Sequence, residues 1–287
     1  MLESKKLILR KIMQAGIIGL GLIGGSLGLA LRETKMFKSI LGYDNNALHE
    51  QQALSLGLVD ENVDLGEISQ CDVIFIAVPL DFVASIINDF KTLTPTQTII
   101  DLGSTKHKIS TLIDYKIRKN YIGAHPMSGT EHSGPKAAKY DLFKNKILIL
   151  TDIDKSGAFQ VAFAKEIFVN LGMQIVKMDS ASHDKHIAYI SHLPHVLSFA
   201  LANTMLAQEK PENILALIGG GFRSMSRLSN SSPITWKDIF KHNQKHLLNA
   251  IIDFEKHFSE AKSYVEKDDW DGLEKWMQKA NQLHSML

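Results

Sequence analysis

The sequence predicts an α/β, doubly wound N-terminal domain followed by an all-α C-terminal domain. Three observations predict it. Short β-branched runs alternate with helical patterns from Ala15 to Met178. A glycine turn, Gly19-Leu20-Gly21-Leu22-Ile23-Gly24, joins the first run to the first helical pattern. After Met178 the strand patterns stop and helical spacing continues to the C-terminus. A chain of 287 residues has room for both units, with the boundary expected between 1–178 and 179–287.

Strands are predicted over 15–19, 39–44, 72–79, 97–103, 121–126, 146–151 and 173–178. Most are continuous apolar runs, the pattern of strands buried on both faces of a parallel sheet. Helices are predicted between them, over 22–34, 45–56, 80–91, 105–118 and 156–171, which gives successive βαβ units. The C-terminal part reads as helices over 180–208, 211–218, 235–265 and 268–286. Pro194, Pro211, Gly219–Gly221 and Pro233 mark the joints. Apolar residues recur at helical spacing in 236–258 and 273–286. Such faces suit a homodimer through the helical domain, although an intramolecular core reads identically. The residues before Ala15 read as an extra strand or a leader.

Composition excludes several classes. Lys+Arg 32 against Asp+Glu 31 leaves a net charge of +1, which fits neither a basic nucleic-acid binder nor an acidic disordered tail. One cysteine, Cys71, excludes an internal disulfide framework and a cysteine-based zinc ribbon. It suits a reducing, cytoplasmic setting and reads as a packed, inert thiol. Lys5, Lys6, Arg10 and Lys11 interrupt any signal-peptide core. The longest uncharged stretch, Met13 to Leu31, is too rich in glycine for a membrane helix and reads as strand, turn and helix.

The glycine turn matches G-x-G-x-x-G in the context that gives the pattern meaning: a strand before it, an apolar helix after it, and an acid at the end of the next strand. Gly19 permits the tight turn, Gly21 lets a pyrophosphate approach the backbone, and Gly24 lets the helix pack on the sheet. The N–H groups of the helix that starts at Leu22 and Ile23 face the phosphates. This is the Rossmann-like arrangement. Asp44 ends the second strand and is placed to accept both adenosine ribose hydroxyls. No arginine follows it to receive a 2′-phosphate, so the cofactor predicted is NAD rather than NADP. The alternative for Asp44 is an N-cap of the next helix.

Ligands of open α/β sheets bind outside the carboxyl ends of the strands. Val78 and Pro79, Gly103 and Ser104, and Ala124 and His125 all lie at such ends and converge on one crevice. A histidine there can act as a general base near neutral pH. Ser104 could equally cap the helix predicted to start at Thr105, and His125 could be a loop histidine bonded to backbone.

Two later segments complete a pattern: Ser191-His192-Leu193-Pro194-His195, and Gly219-Gly220-Gly221-Phe222-Arg223-Ser224-Met225-Ser226-Arg227 followed by SSPITW (231–236). With GLGLIGGS, DLGSTK and GAHPMSGTEHSG, in this order and spacing, the chain resembles the prephenate dehydrogenase family, which includes arogenate dehydrogenases. The resemblance implies NAD-dependent oxidative decarboxylation of prephenate to 4-hydroxyphenylpyruvate, on the route to tyrosine. It implies that His125 accepts the hydrogen bond of the ring 4-hydroxyl and that Ser104 orients the same hydroxyl. It implies that His195 lines the pocket from the helical domain and that Arg227 binds a substrate carboxylate. Trp236 is implied at the pocket, and Thr130 and Glu131 on the loop at its mouth. Ser191 and Arg223 complete the expected substrate set. The family often has an acid where this chain has Ser224, so an ion network of Glu131, that acid and Arg227 is expected to be incomplete. With no room for a chorismate mutase segment before residue 15 and no ACT-like segment at the C-terminus, a monofunctional enzyme is expected.

No metal is expected. His192 and His195, and likewise His242 and His246, share helical spacing without a matching carboxylate cluster, and the latter pair reads as solvated. Lys106, His107 and Lys108 read either as a phosphate contact or as a solvated first helical turn. Two other functions compete: a β-hydroxyacid-type dehydrogenase, whose glycine-spaced lysine helix is not found after Asp179, and a non-catalytic NAD sensor, which has no need of Ser104, His125, His195 and Arg227 together.

Overall fold

The computed structural model describes residues 13–208 and 216–286. The expectations for residues 1–12 and for most of the 211–218 helix therefore lie outside the described residues.

One eight-stranded sheet forms the first part of the chain, in the order β3-β2-β1-β4-β5-β6-β7-β8. Its strands are β1 (Gln14–Ile18), β2 (Ser39–Tyr43), β3 (Glu61–Asn62), β4 (Val73–Ile76), β5 (Thr98–Asp101), β6 (Tyr121–Pro126), β7 (Ile147–Thr151) and β8 (Gln174–Met178). The helices that alternate with them are α1 (Leu22–Thr34), α2 (Ala47–Ser55), α3 (Leu65–Ile68), α4 (Leu80–Asp89), α5 (His107–Leu112) and α6 (Ala158–Asn170). The apolar runs are explained by two cores. Leu27, Leu31, Phe75, Phe143 and Phe168 fill one face of the sheet, and Ile18, Ile74, Ile76, Val83 and Tyr121 fill the other.

Two features depart from the sequence reading. The short strand β3 and helix α3 are too brief to show a period. The sheet is also not wholly parallel: β7 runs antiparallel to β6, while β8 returns to parallel with β7. The reason lies in the connection. Between Pro126 and Ile147 the chain forms only a short 3-10 turn, Pro135–Ala137. A parallel neighbour needs a crossover, usually a helix, and none intervenes here.

After β8 the described chain is helical: α7 (Ser180–Ile187), a wide π-type turn (Ala188–His192), α8 (Leu193–Leu206), α9 (Gly220–Ser226), α10 (Pro233–His242), α11 (Gln244–Glu266) and α12 (Trp270–Asn281). The wide turn has a local cause. Pro194 has no N–H to donate to the preceding turn, and the Leu193 N–H reaches back to the Ala188 carbonyl. The single helix expected over 235–265 breaks at Asn243, whose buried amide donates to the Asp184 carbonyl at 2.6 Å and contacts His192 Nδ1 at 3.2 Å.

The helical part docks on the face of the sheet that carries α4. Trp236 and Phe240 pack against that core. Asp81, in the first turn of α4, binds Lys241 Nζ and His242 Nε2, each at 2.7 Å. Side-chain hydrogen bonds from Lys241 and then His242 hold the Asp81 carboxyl down at about 2. His242 is thus an interdomain contact rather than the solvated histidine expected from its spacing, because α10 turns it onto α4.

Beneath the carboxyl edge lies a fully buried ion pair. Lys106 Nζ meets Asp101 Oδ2 at 2.5 Å, both side chains being 0% exposed. The Tyr121 hydroxyl donates to the same oxygen at 3.0 Å, and the Gly103 N–H donates to Asp101 Oδ1 at 2.7 Å. Lys106 is therefore neither a phosphate contact nor part of a solvated turn. Removing one partner of such a pair strands a buried charge, at a cost of about 3–5 kcal/mol. We expect Asp101→Asn to lower the unfolding free energy by that amount in chemical denaturation. A loss below about 1 kcal/mol would show that the pair contributes little.

Candidate active site

The turn after β1 is built as its glycines require. Gly19 has φ +91°, and a Cβ there would lie 2.4 Å from the Ala77 carbonyl oxygen. A Cβ on Gly24 would lie 1.9 Å from the Gly19 carbonyl oxygen, so α1 can start only with glycine at that position. At Gly21 nothing lies within 4 Å of where a Cβ would be. The N-terminus of α1 has neither a side-chain cap nor an acid in its first turn. The turn thus exposes N–H groups in open space, which suits an anion.

Asp44 closes this turn from β2. Its Oδ2 accepts the Leu20 N–H at 2.8 Å, and its Oδ1 accepts the Asn46 N–H at 2.9 Å. Asp44 is not the N-cap of α2. Asn46 is, with its side chain accepting the Leu48 N–H. Val78 adjoins the turn, its Cγ1 being 3.1 Å from where a Gly19 Cβ would sit, and Pro79 begins α4. At the next strand end, Leu80 packs within 2.7 Å of a would-be Cβ on Gly103.

His125, on β6, meets the first helix of the helical part. Its Nδ1 lies 2.9 Å from His183 Nε2, and His183 Nδ1 lies 2.8 Å from Asp184 Oδ1. A carboxylate only accepts, so a neutral His183 carries its proton on Nδ1 and offers a lone pair at Nε2. His125 then donates from Nδ1, and its own Nε2 is left as an acceptor. Burial first, then the neighbouring His183, Lys106 and His192, hold the His125 pKa well below 6.5. The ring is neutral at pH 7 and ready to accept a proton. Asp184 is the anchor. Besides His183, its two oxygens accept the N–H groups of Lys106 at 2.8 Å and His107 at 2.9 Å, at the start of α5. Burial alone would raise its pKa, but these hydrogen bonds outweigh burial and lower it.

Ser104 is half-buried just before that turn and does not cap α5, because Asp184 already does. Its hydroxyl has no hydrogen-bond partner among the described residues. His195 lies in α8, its Nδ1 donating to the Ser191 carbonyl at 2.9 Å. Its ring stacks on Trp236 with centroids 3.4 Å apart. Burial first lowers the His195 pKa, and Arg227 adds to the effect. Arg227 keeps 60% of its side chain exposed and lies 3.9 Å from Glu131. Those two groups therefore meet directly despite Ser224. Thr130 bonds only within its own loop, to the His132 backbone. Arg223 is exposed and has no side-chain partner among the described residues, so the structure does not join it to this cluster. His192 is buried, its pKa pushed down to about 4, chiefly by burial.

Comparison with known proteins fits this geometry. The family model described as prephenate dehydrogenase, nucleotide-binding domain, matches residues 27–177, and that for the prephenate dehydrogenase dimerization domain matches 179–279. Prephenate dehydrogenase of Bacillus subtilis is 31% identical over 274 residues, covering 92% of this chain and 73% of that protein. The chain belongs to the prephenate dehydrogenase family. The crystal structure of prephenate dehydrogenase from Aquifex aeolicus, in complex with hydroxyphenyl propionate and NAD+, superposes with a TM-score of 0.88. It is 28% identical and covers 96% of this chain and 98% of its own. Synechocystis arogenate dehydrogenase superposes with a TM-score of 0.76 at 28% identity, covering 96% and 99%.

As a member of this family the chain is an oxidoreductase with a nucleotide-binding domain. Sequence reasoning missed His183 and Asp184 in its site. Their only signal was position: they follow directly on the last strand, in the helix that first crosses back over the carboxyl edge.

Three histidines, one buried and two half-buried, make stability depend on pH. The pKa values of His125, His192 and His195 are lowered by burial, so the unfolded chain takes up protons that the folded chain refuses. Stability is fully present above about 6.5 and declines as pH falls toward about 4. The carboxyl of Asp152, held at about 2 by Ser110 and Ser180 against the effect of burial, adds a separate loss only below 3.8. We expect the melting temperature to fall steadily between about pH 6.5 and 4. A flat profile there would contradict imidazoles held neutral in the folded chain.

Proposed function

We propose that this dehydrogenase oxidises prephenate with NAD+, yielding 4-hydroxyphenylpyruvate and CO2, and works as a cytoplasmic homodimer. The observation that carries the reading is the His125–His183–Asp184 chain, which orients the His125 ring at the carboxyl edge of the sheet that also carries the dinucleotide turn. The open backbone at Gly21, the uncapped start of α1 and the Asp44 carboxylate fit a dinucleotide's pyrophosphate and ribose. NAD+ supplies the hydride acceptor when bound.

His125 Nε2 accepts the proton of the 4-hydroxyl as the hydride leaves the same carbon and the C–O bond becomes a carbonyl. The positive charge gained on His125 is shared through His183 with Asp184. Ser104, whose hydroxyl is uncommitted, orients the substrate hydroxyl. Loss of the ring carboxylate as CO2 restores aromaticity, and His125 returns its proton to the ring oxygen. The products then balance without a further proton. Prephenate carries two carboxylates, and Arg227 offers an exposed guanidinium to one of them. The His195–Trp236 stack forms the wall next to it. Ser191 holds that stack through its carbonyl, and Thr130 shapes the loop at the mouth. Arg223 has no role in this scheme. Arogenate remains the second substrate, because the arogenate dehydrogenase of Synechocystis shares the fold at the same identity as the Aquifex enzyme.

The homodimer reading rests on the family's dimerization domain and on Leu248, Ile252, Phe258 and Val265, which α11 leaves more than half exposed. The cytoplasm suits a biosynthetic enzyme with one buried thiol, its pKa raised to about 12 by burial first and then by Asp72.

NADH formation with prephenate and with arogenate in parallel tests the reading. We expect turnover with prephenate, and none with either substrate would refute it. His125→Asn is expected to lower kcat by about 10²–10⁴ while substrate still binds. An unchanged kcat removes His125 as the proton acceptor. Arg227→Gln is expected to raise the KM for prephenate about tenfold or more, the loss of one charged hydrogen bond. A change in kcat alone would remove Arg227 from substrate binding.

A further inference from the structure

Helix α10 touches both ligand sites of the reading above. Near its start, Trp236 stacks on the His195 ring with centroids 3.4 Å apart. At its last turn, Lys241 Nζ and His242 Nε2 reach the Asp81 carboxylate, each at 2.7 Å. Asp81 stands two residues after Pro79, in the first turn of α4. That turn borders the dinucleotide turn through Val78 and the β5–α5 turn through Leu80, which packs on Gly103. Six residues of helix, about 9 Å, thus separate the wall of the substrate pocket from a contact beside the cofactor turn.

We propose that Asp81 is a positioning residue that couples the two sites: through its bonds to Lys241 and His242, a dinucleotide seated on the glycine turn fixes Trp236 and tightens the binding of the aromatic ligand. The inference rests on the dinucleotide and substrate reading above and adds to it the residue that links the two ligands.

His242 carries the argument. Its side chain is only 3% exposed, and its Nδ1 is buried with no hydrogen-bond partner among the described residues. A buried polar atom left unpaired costs stability, so packing alone would favour an apolar side chain here. The imidazole meets Asp81 instead, and since a carboxylate only accepts, Nε2 carries the proton. Lys241 and Asp81 are more exposed, and an ion pair of that kind adds little to stability. What the contact supplies is direction. Trp236, Ile239 and Phe240 also pack α10 on the core beside α4, but apolar contacts are non-directional and do not fix a helix along its axis. Two hydrogen bonds to one carboxylate do. The helix ends favour the charges, with Asp81 at the positive start of α4 and the two bases at the negative end of α10. Just beyond, Asn243 holds the same end of α10 to the Asp184 carbonyl and to His192. That end is anchored, and the Trp236 end faces the ligand. A dinucleotide that orders the start of α4 therefore lowers the ordering cost left for the second ligand, which then binds more tightly.

The test is calorimetric binding of NAD+ and 4-hydroxyphenylpyruvate to the full chain, each alone and each in the presence of the other. The pair does not turn over, because the hydride has already left the product. We expect NAD+ to tighten 4-hydroxyphenylpyruvate about fivefold or more in wild type, and the reverse by the same factor. Asp81→Ala should bring that factor below about twofold while each ligand alone binds within about twofold of wild type. His242→Leu, which cuts the contact from the other side without stranding a buried donor, should give the same loss. His242→Gln, whose amide can donate to Asp81 as Nε2 does, should keep the coupling. The inference is overturned, with the cofactor reading intact, if wild type binds both ligands without coupling, if Asp81→Ala or His242→Leu keeps the coupling, or if His242→Gln loses it as His242→Leu does. It is also overturned if Asp81→Ala weakens each ligand alone as much as the two together, the mark of a merely structural contact. If NAD+ or 4-hydroxyphenylpyruvate does not bind wild type, the reading of the site and this inference fall together.

Discussion

The carboxylate of Asp184 is the constraint on which the site depends. One of its oxygens takes the Lys106 N–H and the His183 ring, and the other takes the His107 N–H. Its backbone carbonyl takes the Asn243 amide. A single residue therefore caps a helix of the nucleotide-binding part, aims the histidine pair and fixes the joint between α10 and α11. The cost of burying its charge is offset because both of its oxygens have donors. With both rings neutral the tautomer of His125 follows from this arrangement, since a carboxylate at the far end of the chain leaves them one way to share protons.

The same edge of the sheet holds a second charge system that is kept separate. Asp101 and Lys106 neutralise each other beneath the crevice. The ammonium is near enough to His125 to disfavour a second positive charge there. Backbone N–H groups of the β5–α5 turn serve Asp184, while the Lys106 side chain turns inward to serve Asp101. One short segment thus supports both the buried Asp101 pair and the Asp184 carboxylate that holds the two histidine rings.

The helical part also braces the nucleotide-binding part. Asp81 ties α10 to α4 beside the dinucleotide turn, Asp152 receives Ser110 and the first turn of α7, and Trp236 backs His195. The loop from Met127 to Lys146 exists because β7 returns antiparallel. That return swings Ser133 and Lys136 over α1 and α2, with the Lys139 N–H bonded to Ser26 Oγ. The space beside α2 is therefore walled by the β6–β7 loop and by α10.

Much of this was legible in the residues. Continuous apolar runs announced buried strands, because a strand covered by helices on both faces has no polar side to alternate. Gly19, Gly24 and Asp44 announced the nucleotide turn, because its geometry admits few other residue types. The motifs around His125, His195 and Arg227 announced the family. Sequence alone could not orient β7, since a run of apolar residues reads the same in either direction. It also could not show that Lys106 points inward, that His242 faces Asp81, or that His183 and Asp184 complete the site. Each of those depends on which atoms meet after two parts of the chain pack together. The sequence by itself determined which segments become strands and helices and where a dinucleotide turn must lie, because those are set by local sterics and periodicity. The tertiary structure decided which histidine meets the His183–Asp184 pair and what holds it there, because that depends on burial and on hydrogen bonds between residues far apart in the chain.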